Sequence, residues 1–223
     1  MSQKPSNGAA VEMAARARGV VMGHREFLRS VMGLVRAKYV AVVDLEATCY
    51  GPGERQDLPN EVIEVGLALL ETRTGEVVDR QQWYVKPTVS EVTPFCTELT
   101  GITPVMAAAG GAYADVVVEL EKYATSGPFG PLAAWVSYGE ADPNYFERQS
   151  KAEGVLRPWQ GLDYFNMKNL AGLHFGFGKK KNPGLKKAMG LAGLDMQGKH
   201  HSGSDDAFNT ARLLAFLLQA NYS

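Results

Sequence analysis

The stretch of sequence that decides the fold is YVAVVDLEATCY, residues 39–50. Residues 39–43 are apolar and rich in valine, which predicts a strand that is buried on both faces. Two carboxylates follow, at Asp44 and Glu46. Because side chains two positions apart on a strand point the same way, we expect these acids to share one face, with Leu45 turned into the core on the opposite face.

The two acids allow two interpretations. Neighbouring carboxylates repel each other, and burying them without a partner costs several kcal/mol. A divalent cation would remove that cost, and hard oxygen ligands of this kind suit Mg²⁺ or Mn²⁺. Alternatively, the strand simply ends in two acids that remain in water. The pair alone does not decide between a metal site and a solvated strand end.

Composition limits the class of protein. A chain of 223 residues with ordinary apolar and charged fractions predicts one globular domain, and a formal net charge of −1 gives no overall basicity. No apolar run reaches transmembrane length and no signal segment is evident, so we expect no membrane partner. Cys49 and Cys96 suit a reducing compartment, which predicts the cytoplasm. Transit to an organelle is the alternative, because the N-terminus is arginine-rich and acid-poor.

Hydrophobic periodicity predicts an α/β architecture. Two strands after the first form an antiparallel meander, and helices then alternate with two further strands. This order predicts a mixed sheet covered by helices on both faces. The later strands are predicted at 62–70, 76–85, 132–137 and 162–167, and the helices at 24–36, 113–123, 145–153, 170–177, 185–191 and 204–219, with a short helix or turn at 98–102.

A further acid follows the fourth strand. Ligands collect at the carboxyl ends of strands in open α/β sheets, which makes Asp142 a candidate ligand. Asp142 also precedes Pro143 at a helix start, so a helix N-cap is the competing interpretation.

Near the C-terminus, His201 precedes the last helix and Asp206 lies in its first turns. A mobile imidazole beside a fixed carboxylate suits a general base next to a metal ligand. A loop histidine bonded to the backbone is the alternative. A lysine cluster lies upstream and is either a solvated face or a track for a phosphate backbone. Its members are Lys179, Lys180, Lys181, Lys186 and Lys187.

Taken together and in this order, these pieces resemble the DEDDh 3′–5′ exonucleases. The Asp-x-Glu motif of that family stands here at Asp44 and Glu46, its second motif supplies Asp142, and its His-x-x-x-x-Asp motif stands at His201 and Asp206. All three motifs in order are far more specific than a lone Asp-x-Glu.

The resemblance covers roughly residues 38–220 and implies a ribonuclease-H-like fold. That fold has a mixed five-stranded sheet, with strands 1–3 antiparallel and strands 4–5 parallel, and helices on both faces. We therefore expect an exonuclease domain at 38–223 that follows a basic tail and helix at 1–37.

Other segments resemble the Eri-type (3′-hExo-like) and KapD-like branch, whose members chiefly degrade or trim RNA 3′ ends. In one departure, Ala141 stands where many relatives carry an aromatic residue, so stacking on a terminal base falls to another residue, such as Tyr138 or Tyr145. The matching segments are Glu-Ala-Thr-Cys at 46–49, Asn-Glu-x-Ile-Glu at 60–64, Phe-Cys-x-Glu-Leu-Thr-Gly-Ile at 95–102 and Gly-Lys-His-His-x-Gly-x-Asp-Asp-Ala at 198–207.

The resemblance also implies a mechanism with two ions of Mg²⁺ or Mn²⁺ per site and release of 5′-mononucleotides. Asp44 would bridge the two ions. Glu46 and Asp206 would hold the ion that binds the attacking water, and Asp142 would support the second ion. His201 would take the proton from that water.

The implied substrate is the 3′ end of single-stranded RNA. A DNA-directed enzyme of the same chemistry is the nearest alternative, and a catalytically idle RNA-binding regulator is a more distant one. The residues predicted to bind the substrate are Leu45, Thr48, Tyr138, Lys179, Lys180 and Lys181.

Overall fold

The structure, a computed structural model, describes residues 33, 36–54, 57–177 and 181–220. Almost all of the tail and helix predicted at 1–37 lies outside these residues, as do Lys179 and Lys180. Within the described part of the chain, no helix is both long and apolar enough to cross a bilayer.

A five-stranded sheet forms the centre of the molecule, with the strand order β3-β2-β1-β4-β5. β1 pairs with β2 and β2 with β3 in antiparallel fashion, whereas β1 with β4 and β4 with β5 are parallel. The predicted mixed sheet is therefore confirmed. The strands are β1 Tyr39–Ala47, β2 Val62–Glu71, β3 Glu76–Tyr84, β4 Ala134–Ser137 and β5 Asp163–Asn166.

Helices cover both faces of the sheet, as the order of elements predicts. Their starts differ from the sequence-based bounds in two informative places. The first helix begins at Pro94 because the Thr93 hydroxyl accepts a hydrogen bond from Cys96 N (3.1 Å) and proline suits the first helical position. The described helices are α1 Pro94–Thr100, α2 Pro104–Ala108, α3 Tyr113–Ser126, α4 Ala141–Glu153, α5 Met167–His174, α6 Leu185–Leu191 and α7 Gly203–Ala220.

The second difference is in α4, which begins at Ala141 rather than near residue 145. Asp142 consequently lies in the first turn of α4, with Pro143 one position later, where its missing N–H is not needed. This start brings the Asp142 carboxyl group next to the end of β1.

The two faces of β1 belong to two different cores. Val40 and Val42 pack with α5, α6 and α7, whereas Ala41, Val43 and Leu45 pack with α3 and α4. Because side chains alternate along a strand, the acids that continue the even-numbered series point toward α7. The predicted burial of Leu45 in the opposite core is confirmed.

The N-terminus of α7 lies directly against the sheet. A Cβ atom on Gly66 would be 2.0 Å from the carbonyl carbon of Gly203, and a Cβ on Gly203 would be 2.9 Å from the carbonyl oxygen of Asp44. Since a side chain at either position would collide with backbone, glycine at these positions sets how closely α7 approaches β1 and β2.

Gly66→Ala tests this close approach. We expect a loss of about 1–3 kcal/mol in the free energy of unfolding, because the added methyl group must push the backbone of α7 away from the sheet. Denaturant unfolding monitored by circular dichroism measures the change. Gly190→Ala in α6 is the matched control, because a Cβ there meets nothing within 4 Å. Equal stability of the two variants would show that α7 does not need the contact.

Candidate active site

Three acids meet at the edge of the sheet where β1 ends. Asp44 and Glu46 come from β1 and Asp206 from the first turn of α7, and one carboxylate oxygen of each lies within 4.8 Å of the others. The close approach of α7 to the sheet brings about this meeting. Three carboxylates this close together form an arrangement that can hold a divalent cation.

The two oxygens of Asp206 have different environments. Oδ2 accepts hydrogen bonds from the backbone N–H of His201 (2.9 Å) and from Nδ1 of His200 (2.8 Å). Oδ1 is buried and has no hydrogen-bond partner among the described residues. A buried carboxylate oxygen without a partner is costly, and a cation bound at the acidic cluster would satisfy it.

Asp142 joins the same site from α4. Its Oδ1 accepts a hydrogen bond from the backbone N–H of Leu45 (2.9 Å), which lies between the two acids of β1. The helix N-cap interpretation is wrong, because the residue that precedes α4 is Glu140 and the Asp142 carboxyl group bonds to β1. This bond ties the start of α4 to the end of β1.

Glu64 is a further buried acid at this edge, and sequence reasoning missed its position in the site. It stands opposite Glu46 in the antiparallel register of β1 and β2 and is 1% exposed. Its carboxylate accepts hydrogen bonds from the N–H groups of Gly203 (3.2 Å) and Ser204 (3.0 Å), and from the Gln82 side chain (2.7 Å). Glu64 therefore anchors the N-terminus of α7, where negative charge is favoured.

The crowded carboxylates perturb one another. Burial raises the pKa of Asp44 well above its usual value, and the charges of Asp142 and Glu46 raise it further. Burial, followed by the charge of Glu64, raises the pKa of Glu46 to about 9. Burial also raises the pKa of Asp142 to about 6, although the bond from Leu45 opposes this shift. The protein alone therefore resists having all of these acids ionised at once.

Two histidines stack beside Asp206. The rings of His200 and His201 lie 4.1 Å apart between centroids and 21° from parallel. The backbone at His201 is left-handed, with φ of 65°, which places two successive side chains side by side. Burial, together with the charge of His200, lowers the pKa of His201, so its imidazole is neutral near pH 7.

The predicted substrate-binding residues have diverse environments. Leu45 and Thr48 are buried, and the Thr48 hydroxyl accepts a hydrogen bond from Glu61 N (2.9 Å). Tyr138 packs on the α5–α7 side of the sheet and donates a hydrogen bond to the Pro183 carbonyl (2.8 Å). Its hydroxyl is thus already engaged within the fold. Lys181 is exposed.

Tyr145 occupies a different place from Tyr138. It lies one turn after Asp142 on α4, and the Arg148 guanidinium sits over its ring at 4.7 Å. Burial raises the pKa of Tyr145, and the charge of Arg148 opposes this shift.

Comparison with known proteins agrees with this architecture. The family model for exonucleases of the RNase_T type matches residues 41–214. Mouse ERI1 exoribonuclease 2 is 31% identical over 194 residues, which are 78% of this chain and 28% of the relative. Mouse 3′-5′ exoribonuclease 1 is 29% identical across 81% of this chain and 53% of the relative, and human ERI1 exoribonuclease 3 is 34% identical across 82% and 54%. The chain thus spans about half or less of the length of these relatives.

Solved structures share the fold. The nuclease domain of 3′hExo, described as a DEDDh family member bound to rAMP, matches with a TM-score of 0.74 and 25% identity, across 83% of this chain and 94% of that one. E. coli exonuclease I in complex with a dT13 oligonucleotide shares the fold at a TM-score of 0.56 and 14% identity, across 78% and 39%. Since the family model spans the sheet and every element that contributes to the acidic site, this chain belongs to the exonuclease family and resembles its DEDDh members.

Proposed function

We propose that this chain is a metal-dependent 3′–5′ exonuclease that releases 5′-mononucleotides from the 3′ ends of single-stranded RNA. The observation that carries the proposal is the acidic cluster of Asp44, Glu46 and Asp206, with one buried Asp206 oxygen that has no partner in the described part of the chain. Similarity to proteins named 3′-5′ exoribonucleases supports RNA as the substrate.

The donor set fits divalent cations, because it consists of carboxylate oxygens that destabilise one another without a counter-ion. Glu46 and Asp206 would hold one ion, with Asp44 shared between that ion and a second, which Asp142 would support. Mg²⁺ and Mn²⁺ are the candidates. When bound, such ions activate a water molecule and neutralise the charge that develops on the phosphoryl and leaving oxygens.

His201 is the residue we assign as general base. Its lowered pKa leaves the imidazole neutral and able to accept a proton from water near pH 7. His200 is a weaker candidate, because its Nδ1 is already bonded to Asp206 Oδ2 at 2.8 Å. His200 instead orients the Asp206 carboxylate, because it bonds to Oδ2 and leaves Oδ1 outside this hydrogen bond.

Substrate contacts follow from what surrounds the acids. The ring of Tyr145 is the better candidate for stacking on a terminal base, because it lies one turn after Asp142 on α4, whereas the Tyr138 hydroxyl is already bonded to the Pro183 carbonyl. Leu45 and Thr48 can line the terminal nucleotide only through backbone atoms, because their side chains are buried. Lys181, with the exposed Lys186 and Lys187 of α6, would contact upstream phosphates.

DNA is the alternative substrate, because exonuclease I, which shares the fold, was solved with a dT13 oligonucleotide. An idle RNA-binding regulator is less consistent with a site that retains four acids and a histidine.

We further expect a reducing compartment such as the cytoplasm, because Cys49 and Cys96 are both free thiols.

The direct test is digestion of 5′-labelled single-stranded RNA and DNA of the same sequence. We expect a ladder that shortens from the 3′ end of RNA in Mg²⁺ and disappears with chelator. Asp206→Asn should lower the rate by at least about 100-fold, because it removes the charge of a metal ligand. Asp195→Asn, outside the acidic site, is the matched control. Wild-type turnover in Asp206→Asn would exclude the metal assignment, and faster digestion of DNA would favour the alternative substrate.

A second prediction concerns His201→Ala. The rate of hydrolysis should fall by roughly 100- to 10,000-fold, whereas Mn²⁺ affinity, measured by electron paramagnetic resonance titration, should change little. In the wild type, the rate should rise as pH passes through a value below 6.5, since the His201 pKa is lowered. A variant that keeps the wild-type rate would remove His201 as the base.

A third prediction concerns the metal-free protein. Because the pKa of Glu46 is raised from 4.5 to about 9 in the folded state, the folded protein binds the extra proton between these values and loses stability as pH rises through the window. In chelator, Glu46→Gln should therefore melt above the wild type at pH 8.5 by at least about 2–4 °C, the shift that 1 kcal/mol produces in a domain of this size. Glu119→Gln, an exposed site on α3, is the control. Equal melting temperatures at pH 5 and pH 8.5 for the wild type would contradict the shift.

A further inference from the structure

We propose that Lys199 binds the phosphate group of the 3′-terminal nucleotide, which becomes the 5′-phosphate of the released mononucleotide. This inference rests on the proposed exonuclease function and adds a positively charged residue to a site otherwise built from acids and imidazoles. Four observations support it: the position of the ammonium group, the fixation of its backbone, the lack of a protein counter-ion and the chemistry of the substrate.

The side chain of Lys199 extends from its loop toward α1. A Cβ atom on Gly101 would be 2.6 Å from Lys199 Nζ, so the side chain reaches the C-terminal end of α1. The start of α1 is joined to the loop after β1, because the Thr93 hydroxyl donates a hydrogen bond to the Cys49 carbonyl (3.1 Å). Lys199 therefore spans from the loop that carries His201 to the helix next to the end of β1.

The charge of Lys199 acts on Glu46 and His201. The Lys199 ammonium opposes the rise in the pKa of Glu46 that burial and neighbouring acids cause, and it contributes to the lowered pKa of His201. Both effects agree with the geometry, in which Lys199 precedes His201 by two residues and its ammonium group reaches Gly101.

The backbone of Lys199 is held in place by Asp205. The Asp205 carboxylate accepts a hydrogen bond from Lys199 N (2.8 Å) through one oxygen and forms an ion pair with Arg80 (2.9 Å) through the other. Gly198 has φ of 74°, and a Cβ there would be 2.2 Å from Asp205 Cγ, so the loop backbone is in direct contact with this carboxylate. Arg80 is itself packed over the Phe208 ring at 4.5 Å. Only the side chain of Lys199 is left to adjust to a ligand.

No carboxylate neutralises this lysine in the part of the chain that the structure describes. The ion pairs found there involve Arg80, Arg157 and His200, and the Lys199 side chain is exposed. An exposed ammonium at the mouth of an acidic site, without a counter-ion, is placed to bind an anion. The anion that the proposed reaction brings there is a phosphodiester, and lysine binds phosphate as a compact point charge.

A structural role is the competing explanation, since a cation at the C-terminus of α1 would also interact with the last carbonyl groups of that helix. The two roles differ in what they stabilise. A helix-capping lysine contributes to the free energy of unfolding without ligand, whereas a phosphate-binding lysine contributes to the affinity for a phosphorylated ligand.

The experiment compares Lys199→Met and Lys199→Arg with Lys122→Ala, a control at an exposed lysine of α3. Inhibition constants for adenosine 5′-monophosphate and for adenosine are measured in Mg²⁺, together with kcat/KM on single-stranded RNA and the melting temperature without ligand. We expect Lys199→Met to weaken monophosphate binding and lower kcat/KM by roughly 10- to 100-fold, the usual effect of losing a charged hydrogen bond. Adenosine inhibition and the melting temperature should stay unchanged, and Lys199→Arg should restore most of the loss.

The inference is overturned if Lys199→Met binds adenosine 5′-monophosphate as the wild type does. It is equally overturned if the loss of activity is matched by a lower melting temperature and weaker adenosine inhibition, because that pattern indicates helix capping. Failure of the proposed exonuclease function would give a different result from failure of the Lys199 proposal. In that case the wild-type protein itself would show no metal-dependent digestion of RNA or DNA.

Discussion

The docking of the α7 N-terminus onto the sheet is the interaction on which the site depends. Glu64 accepts hydrogen bonds from the N–H groups of Gly203 and Ser204, which are among the groups that a helix start leaves without intrahelical partners. Gly66 allows the two backbones to approach to a distance that no side chain would permit. Asp206 therefore reaches the acids of β1 at a fixed distance, although it is far from them in sequence.

This arrangement has an electrostatic cost that explains its chemistry. Burial and the charges of neighbouring carboxylates raise the pKa values of Asp44 and Glu46, and burial raises that of Asp142, although the backbone bond from Leu45 opposes the shift of Asp142. The fold holds these acids together, because the sheet register, the glycine contact and the helix start all constrain them. A divalent cation would relieve this repulsion between carboxylates. The constraints that destabilise the metal-free protein therefore also form a site that suits a metal ion.

Much of the fold and part of the site could be predicted from sequence. Strand alternation correctly placed Asp44 and Glu46 on one face and Leu45 on the other, because the period of a strand depends only on local geometry. The start of α4 was placed too late, because a proline one position after Asp142 is tolerated in a first turn. Glu64 was missed as a neighbour of the acids of β1. The position of Glu64 depends on the strand register that sets it opposite Glu46 and on a hydrogen bond from Gly203. Both are contacts between distant parts of the sequence, so local sequence patterns do not reveal them.

The arrangement of the two adjacent histidines could not be predicted from the sequence either. Sequence motifs select His201, whereas the left-handed backbone at that residue and the bond between His200 and Asp206 are visible only in the structure. The most direct test of the proposed metal site is anomalous diffraction from crystals grown with Mn²⁺. We expect a manganese peak within coordination distance of Asp44, Glu46 and Asp206, including the Asp206 oxygen that has no hydrogen-bond partner among the described residues. Ordered crystals in which the cluster binds no manganese, or in which manganese binds only elsewhere, would contradict it.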